Sequence, residues 1–241
     1  ILSQICIIIL FILILFFLIL VTSYLLSIFL TLLIILYWYF AIFKFKSRFS
    51  YLREKILSEM IKNADINGSE QILDLGTGAG YVAIGFSKSL QHGRVIGVDK
   101  YDKKTPVIGS NFFEELKINF FGNKLGQAKQ NAILEKQKDT ISFIKSDLKK
   151  HFPFANTSFN LILSSQFLYC IPHKNLKHVL KEIDRVLKPS GKLIFFESEK
   201  FIYWNISQVK SFFEKLGYYV HINKLNIMSN KCIFIAEKPR K

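Results

Sequence analysis

Apolar positions run from Ile1 to Phe43 without a single Asp, Glu, Lys or Arg. Ile, Leu and Phe dominate, relieved by Ser, Thr, Gln, Cys and three Tyr. A bilayer core of about 30 Å takes about 20 helical residues, so this stretch is too long for one pass even when tilted. The pattern predicts a transmembrane helical hairpin: residues 1–20, a polar nick at Thr22 and Ser23, and residues 24–43. The nick holds neither Gly nor Pro, and a single long pass with an interfacial extension is the other arrangement it allows. A cleaved signal peptide fits less well, because its apolar core spans about 7–15 residues and ends in small ones. The first residue is Ile and not Met, which suits a truncated or misassigned start.

Tyr37, Trp38, Tyr39 and Phe40 close the segment, and Lys44, Lys46, Arg48, Arg53 and Lys55 follow. Aromatic rings favour the headgroup layer and Lys/Arg flanks mark the cytoplasmic side. The expected location is therefore the membrane, multi-pass, with the remainder of the chain cytosolic. The same cations attract anionic lipid, so membrane lipid is an expected partner.

Beyond Phe43 the period changes. Phe49, Leu52, Ile56, Leu57, Met60 and Ile61 recur at helical spacing, predicting a basic juxtamembrane helix within 44–66. A domain at 67–241 follows, in which short apolar runs alternate with amphipathic ones. Strands are expected at 71–75, 94–98, 141–145, 159–163, 192–196, 218–222 and 231–237, and helices at 81–90, 124–138, 173–187 and 207–216. Such alternation predicts βαβ units around a parallel sheet. The last two strands have no helix between them and predict an antiparallel hairpin at one edge. Residues 100–123 fit neither period; they hold an apolar patch with Phe112, Phe113, Phe120 and Phe121, which covers an apolar substrate, lies against lipid or joins the core.

Composition adds exclusions. Half the residues are apolar, too many for a disordered chain. Cys6, Cys170 and Cys232 are too few and too scattered for a disulfide framework. No C-x-x-C pair and no His/Cys cluster is present, so no metal is expected. The net charge of +15 raises nucleic acid as a partner. The lysines, however, are spread through helices and loops without an aromatic-basic motif, and nucleic acid is disfavoured.

The chemistry begins at the first predicted strand. Gln71-Ile72-Leu73-Asp74-Leu75 runs into Gly76-Thr77-Gly78-Ala79-Gly80 and then a helix from Tyr81. Glycines admit positive φ and let main chain approach a ligand. In a doubly wound sheet this loop lies at the carboxyl ends of the strands, where ligands bind. A dinucleotide fingerprint needs a small residue three positions after Gly78, where Tyr81 stands. Asp74, two residues before the first glycine, disfavours a pyrophosphate and suits a ligand carrying an amine or a sulfonium.

These residues resemble the class I S-adenosylmethionine-dependent methyltransferases. The likeness is carried by 73–80, Val98-Asp99, Ser146-Asp147-Leu148, 159–164 and 185–193, in the family's order. Within the family the chain looks like the small-molecule group acting on quinones, sterols and similar compounds. The resemblance implies an α/β fold: a Rossmann-like, doubly wound, seven-stranded, mostly parallel sheet. It implies S-adenosylmethionine as cofactor, with Gly76, Thr77, Gly78 and Gly80 around its methionine part and Asp74 near the amino group. Asp99 would take both ribose hydroxyls, with Lys100 beside it. Asp147 would accept from the adenine amine, with Leu148 packed alongside; it could also simply cap a turn. Ser164 and Gln166 would line the cleft between donor and acceptor.

Two departures bear on function. Ser190 stands where relatives commonly have Gly, in a Pro189-Ser190-Gly191 turn. Ser164-Ser165-Gln166-Phe167 is not the Asn/Asp-Pro-Pro-Tyr/Phe string that grips base amino groups, which disfavours DNA adenine as acceptor. A hydroxyl nucleophile needs a general base, for which His173, Tyr169 and His151 are candidates, each equally at home as a surface or capping residue. The implied activity is methyl transfer to a small, lipid-like or membrane-accessible acceptor. A non-catalytic donor-binding protein and a nucleotide-dependent oxidoreductase are the other readings.

Overall fold

The computed structural model describes residues 2–101, 125–199, 205–225 and 230–240. The Phe112–Phe121 patch lies outside them. The chain divides into two compact units, residues 1–54 and 55–241.

The first unit is helical. Helix α1 spans Leu2–Ala64, and its stretch Leu10–Lys44, 35 residues of mean hydropathy 2.8, is long and apolar enough to cross a membrane. The expected hairpin is corrected here: the helix runs through Thr22 and Ser23 without a break. The reason is local. Thr22 Oγ1 donates to the Leu18 and Ile19 carbonyls and Ser23 Oγ to that of Leu20. Hydroxyls satisfied inside the helix give the chain no cause to turn. At 1.5 Å per residue the stretch is about 52 Å long, longer than one hydrocarbon core.

The second unit is a seven-stranded sheet in the order β3-β2-β1-β4-β5-β7-β6. Its strands are β1 (Gln71–Leu75), β2 (Arg94–Asp99), β3 (Ile141–Lys145), β4 (Phe159–Ser165), β5 (Leu187–Ser198), β6 (Tyr219–Lys224) and β7 (Lys231–Glu237). β1 through β5 pair in parallel, and β7 lies antiparallel between β5 and β6. Central strands are buried on both faces, as near-continuous apolar runs require. Among the described residues it carries helices α2 (Tyr81–Ser87), α3 (Leu125–Leu134), α4 (His173–Val186) and α5 (Ile206–Lys215).

Two apolar layers sandwich the sheet. One holds Leu176, Val179, Leu180 and Ile183 of α4 with Val209 and Phe213 of α5. The other holds Ile56, Met60 and Ala64 from the end of α1, Val82, Ala83 and Phe86 of α2, and Ala132 of α3. Gly85 lets α2 approach closely, since a Cβ there would lie 2.4 Å from Leu57 Cδ2. α5 begins with a capping box in which Asn205 and Gln208 exchange side-chain and backbone bonds. Pro189-Ser190-Gly191 falls inside β5, at an irregularity opposite Phe159–Leu161, with Ser190 at φ +57°.

Candidate functional site

β1 delivers its carboxyl end to a loop in which Gly76, Gly78 and Gly80 adopt φ of +69°, +53° and +85°. These left-handed values explain the alternating glycines. The loop is stitched to the end of β2. The Gly76 and Thr77 amides donate to the Val98 carbonyl at 2.8 and 3.1 Å, and the Gly78 amide donates to Asp99 Oδ2 at 2.9 Å. Asn131 of α3 anchors it from behind, donating to the Ala79 carbonyl. α2 is only seven residues long, shorter than its sequence pattern suggested.

Asp74 is 1% exposed. Burial pushes its carboxyl up to about 7, against partial opposition from the Thr77 side chain and the Ala83 amide and with a smaller push from the charge of Asp99. Among the described residues its Oδ2 has no hydrogen-bond partner, and neither has Thr77 Oγ1 nor the hydroxyl of Tyr101. Tyr101 is buried at φ +49°, and its amide donates to Asp99 Oδ1 at 3.1 Å. Burial, with the charges of Asp99 and Asp74, raises the Tyr101 hydroxyl above its ordinary range. The carboxyl ends of β1 and β2 thus gather buried polar atoms, Asp74 Oδ2 and the Tyr101 hydroxyl, that have no close hydrogen-bond partner among the described residues.

The other expected donor contacts fall nearby in the fold. Lys100 Nζ stands 3.9 Å from Asp147 Oδ2. Asp147 Oδ1 also accepts from the Lys149 amide, so this carboxylate does cap its turn. It keeps acceptor capacity, because a carboxylate offers about four lone-pair sites. Leu148 is buried beside it.

On the far side of the cleft the structure departs from a simple lining role. Ser164 is fully buried and donates to Glu197 Oε1 at 3.2 Å. Gln166 sits at φ +59°, with its amide on the Phe196 carbonyl and its Oε1 accepting from Lys231. Lys231 also donates to Ser198 Oγ. Of the three candidate bases, His151 engages Glu182 through Nδ1 at 2.8 Å. His173 opens α4 at the surface and Tyr169 lies in the 3-10 turn Leu168–Cys170. None of these contacts joins the three to one another.

Tyr101, Asn131, Glu197 and Lys231 escaped the sequence reading. Glu197 alone left a signal there, an acid directly after the apolar run Leu193–Phe196 at the carboxyl end of an expected central strand. A hollow of about 420 Å³ between α3 and β3, lined by Lys129, Ile133, Lys138 and Phe143 among others, contains none of the donor candidates.

S-adenosylmethionine can be tested against this arrangement. An orphaned buried acceptor behind bare main chain suits a ligand bringing an amino group. A two-oxygen acceptor at the end of β2 suits a pair of hydroxyls. The residues present fit the cofactor.

Comparison with known proteins agrees. The family described as "Methyltransferase domain" matches residues 73–195. An uncharacterized methyltransferase of Bacillus subtilis (strain 168), YcgJ, is 27% identical over 154 residues, 61% of this chain and 50% of that protein. A demethylmenaquinone methyltransferase of Lactobacillus johnsonii is 28% identical over 144 residues, 59% and 49% of the two. The chain spans only 40–50% of the length of the curated relatives it matches. A solved SAM-dependent methyltransferase from Aquifex aeolicus superposes with a TM-score of 0.55 at 19% identity, over 77% of this chain and 88% of that one. That likeness speaks for the fold. With the glycine loop and the acids at the ends of β1 and β2 already in place, the match over more than half the sequence settles the kinship: the chain belongs to the methyltransferase domain family.

Proposed function

We propose that the protein transfers a methyl group from S-adenosylmethionine to a small, lipid-like or membrane-accessible acceptor, anchored by α1. The observation that carries the donor half is the buried Asp74 carboxyl group, whose Oδ2 has no hydrogen-bond partner among the described residues, behind a loop of three left-handed glycines. S-adenosylmethionine, when bound, supplies a methyl group on a sulfonium that is already a good leaving group. The chain's task is then alignment: Asp74 holds a positive group, Asp99 accepts from hydroxyls, and Asp147 with Leu148 receives the base.

The acceptor half rests on α1 and on kinship. A 35-residue stretch of mean hydropathy 2.8, with Tyr37, Trp38, Tyr39 and Phe40 near its end and a run of cations from Lys44 onward, has the character of a membrane anchor with a cytosolic flank. A relative at 28% identity is named for demethylmenaquinone, and a lipid-soluble acceptor suits an anchored enzyme. Domain limits of 1–43, 44–66 and 67–241 for anchor, basic helix and methyltransferase domain follow from the same reading.

The test uses the full chain in detergent or lipid nanodiscs. Calorimetry with S-adenosylmethionine should show saturable binding. Incubation with membrane lipid extract and methyl-labelled donor should place label in a lipid fraction, with S-adenosylhomocysteine formed in equal amount. Absence of donor binding refutes the reading outright. Binding without turnover on lipid or water-soluble acceptors leaves a donor-binding protein in place of an enzyme.

A further inference from the structure

Glu197 ends the apolar stretch of β5 and is fully buried. Its Oε1 accepts three hydrogen bonds: from the Leu168 amide at 2.8 Å, the Phe167 amide at 2.9 Å and Ser164 Oγ at 3.2 Å. Its Oε2 has no partner among the described residues. A buried carboxylate is expensive to maintain, and an apolar side chain would fill the same space without that penalty. Its bonds instead converge on one place, the junction where β4 leaves the sheet and the 3-10 turn Leu168–Cys170 begins.

That junction carries strain. Gln166 is left-handed at φ +59°, a conformation that persists in a non-glycine residue only when its surroundings impose it. Next to it, Phe167 lies directly on the donor loop: a Cβ at Gly76 would sit 2.7 Å from Phe167 Cβ and Cδ2. The side chain of Phe167 therefore bears on the first glycine of the loop, and the main chain of Phe167 is held by Glu197.

We infer that Glu197 is a positioning residue for the donor pocket: by fixing the Phe167 and Leu168 amides, its Oε1 holds Phe167 against Gly76 and so sets the wall of the cleft opposite the acids of β1 and β2. This rests on the glycine loop being the donor site. Glu197 touches neither donor nor acceptor in this role; it acts through Phe167.

The experiment compares full-length wild type, E197Q, E197M, F167A and the E197M/F167A double variant in one detergent. It reads amide exchange at residues 167–168 and the dissociation constant for S-adenosylmethionine. E197Q keeps an acceptor oxygen and should retain both protection and affinity within about twofold. E197M keeps the volume and loses the acceptor; protection should fall at least tenfold and affinity at least fivefold. F167A should lose the same affinity, and the double variant no more than either single one, because the two residues act as one unit. Unchanged protection in E197M, full affinity in F167A, or additive losses in the double variant would overturn the inference. Should E197M fail to fold, E197L is read in its place, and wild-type exchange at residues 167–168 as fast as at unbonded amides would overturn the inference. A wild type that binds no donor strikes down the donor reading instead, and the exchange arm still judges the hold of Glu197 on the turn.

Discussion

The Gly78 amide and the Asp99 carboxylate meet at 2.9 Å across 21 positions of sequence. This bond joins the loop after β1 to the end of β2, so the two parts of the proposed donor site are preset against each other. Asp99 Oδ1 does the same for Tyr101. One side chain thus holds both rims and still has lone pairs to offer.

Asp99→Ala should therefore weaken S-adenosylmethionine binding by about 1.5–3 kcal/mol, the range for hydrogen bonds to a charged group. Titration calorimetry checks it. Affinity equal to wild type would remove Asp99 from the site.

Gly76→Ala meets two obstacles: the positive φ and the Phe167 side chain. A loss of about 1–3 kcal/mol in stability is expected, together with weakened donor binding. Gly126 in α3 is the control, since nothing lies within 4 Å of a Cβ there. Gly126→Ala should be neutral or add up to about 1 kcal/mol through helix propensity. Denaturant curves on both variants make the comparison, and equal effects would contradict the geometry.

Asp74 makes stability depend on pH in a defined direction. Its folded pKa is raised from 3.8 to about 7, so between these values the folded state keeps a proton that the unfolded state releases. Its contribution is full below pH 3.8 and is lost as pH rises to about 7. Glu197, raised from 4.5 to about 7 by burial, acts in the same sense. Asp74→Asn should flatten the decline in apo-protein stability between pH 5 and pH 7 (roughly the span of these shifts). A donor that brings positive charge to Asp74 should also expel a proton on binding near neutral pH, visible as a buffer-dependent heat that D74N abolishes.

Glu182 works in the opposite sense. Its carboxyl accepts from Arg185 through Nε and Nη2, both at 2.8 Å, and from the Phe152 amide at 2.8 Å. The Arg185 bonds come first in holding its pKa down to about 2, against a partial opposing effect of burial. Its stabilisation is present above pH 4.5 and lost as pH falls toward 2. Glu182→Ala leaves Arg185 only the neutral oxygens of Phe152, Phe154 and Asn156 and should cost about 1.5–3 kcal/mol in urea unfolding at pH 7. The difference from wild type should shrink below pH 4; a constant gap would refute the ion-pair account.

Much of the fold was legible along the chain. Strand positions, a mostly parallel sheet and the antiparallel pairing of the last two strands follow from the alternation of apolar runs and amphipathic segments. Leu176, Val179, Leu180 and Ile183 mark the inner face of α4 by spacing alone. The glycine loop was equally plain, because Gly76, Gly78 and Gly80 declare in their identity the backbone they need. Pairings were not legible. That Ser164 spends its hydroxyl on Glu197, that Asn131 anchors Ala79, and that His151 engages Glu182 each join residues 31 or more positions apart.

The sequence by itself determined the strand–glycine–helix string, the acids flanking it and the long apolar stretch at the amino end, because backbone preference and burial period are local properties. Only the tertiary structure decided that Thr22 and Ser23 do not break α1, that the Tyr101 amide turns back onto Asp99, and that Glu197 holds Phe167 against Gly76. A polar side chain's partner depends on sheet register and on which hydrogen bonds its own turn has already satisfied, and neither is written at the residue itself.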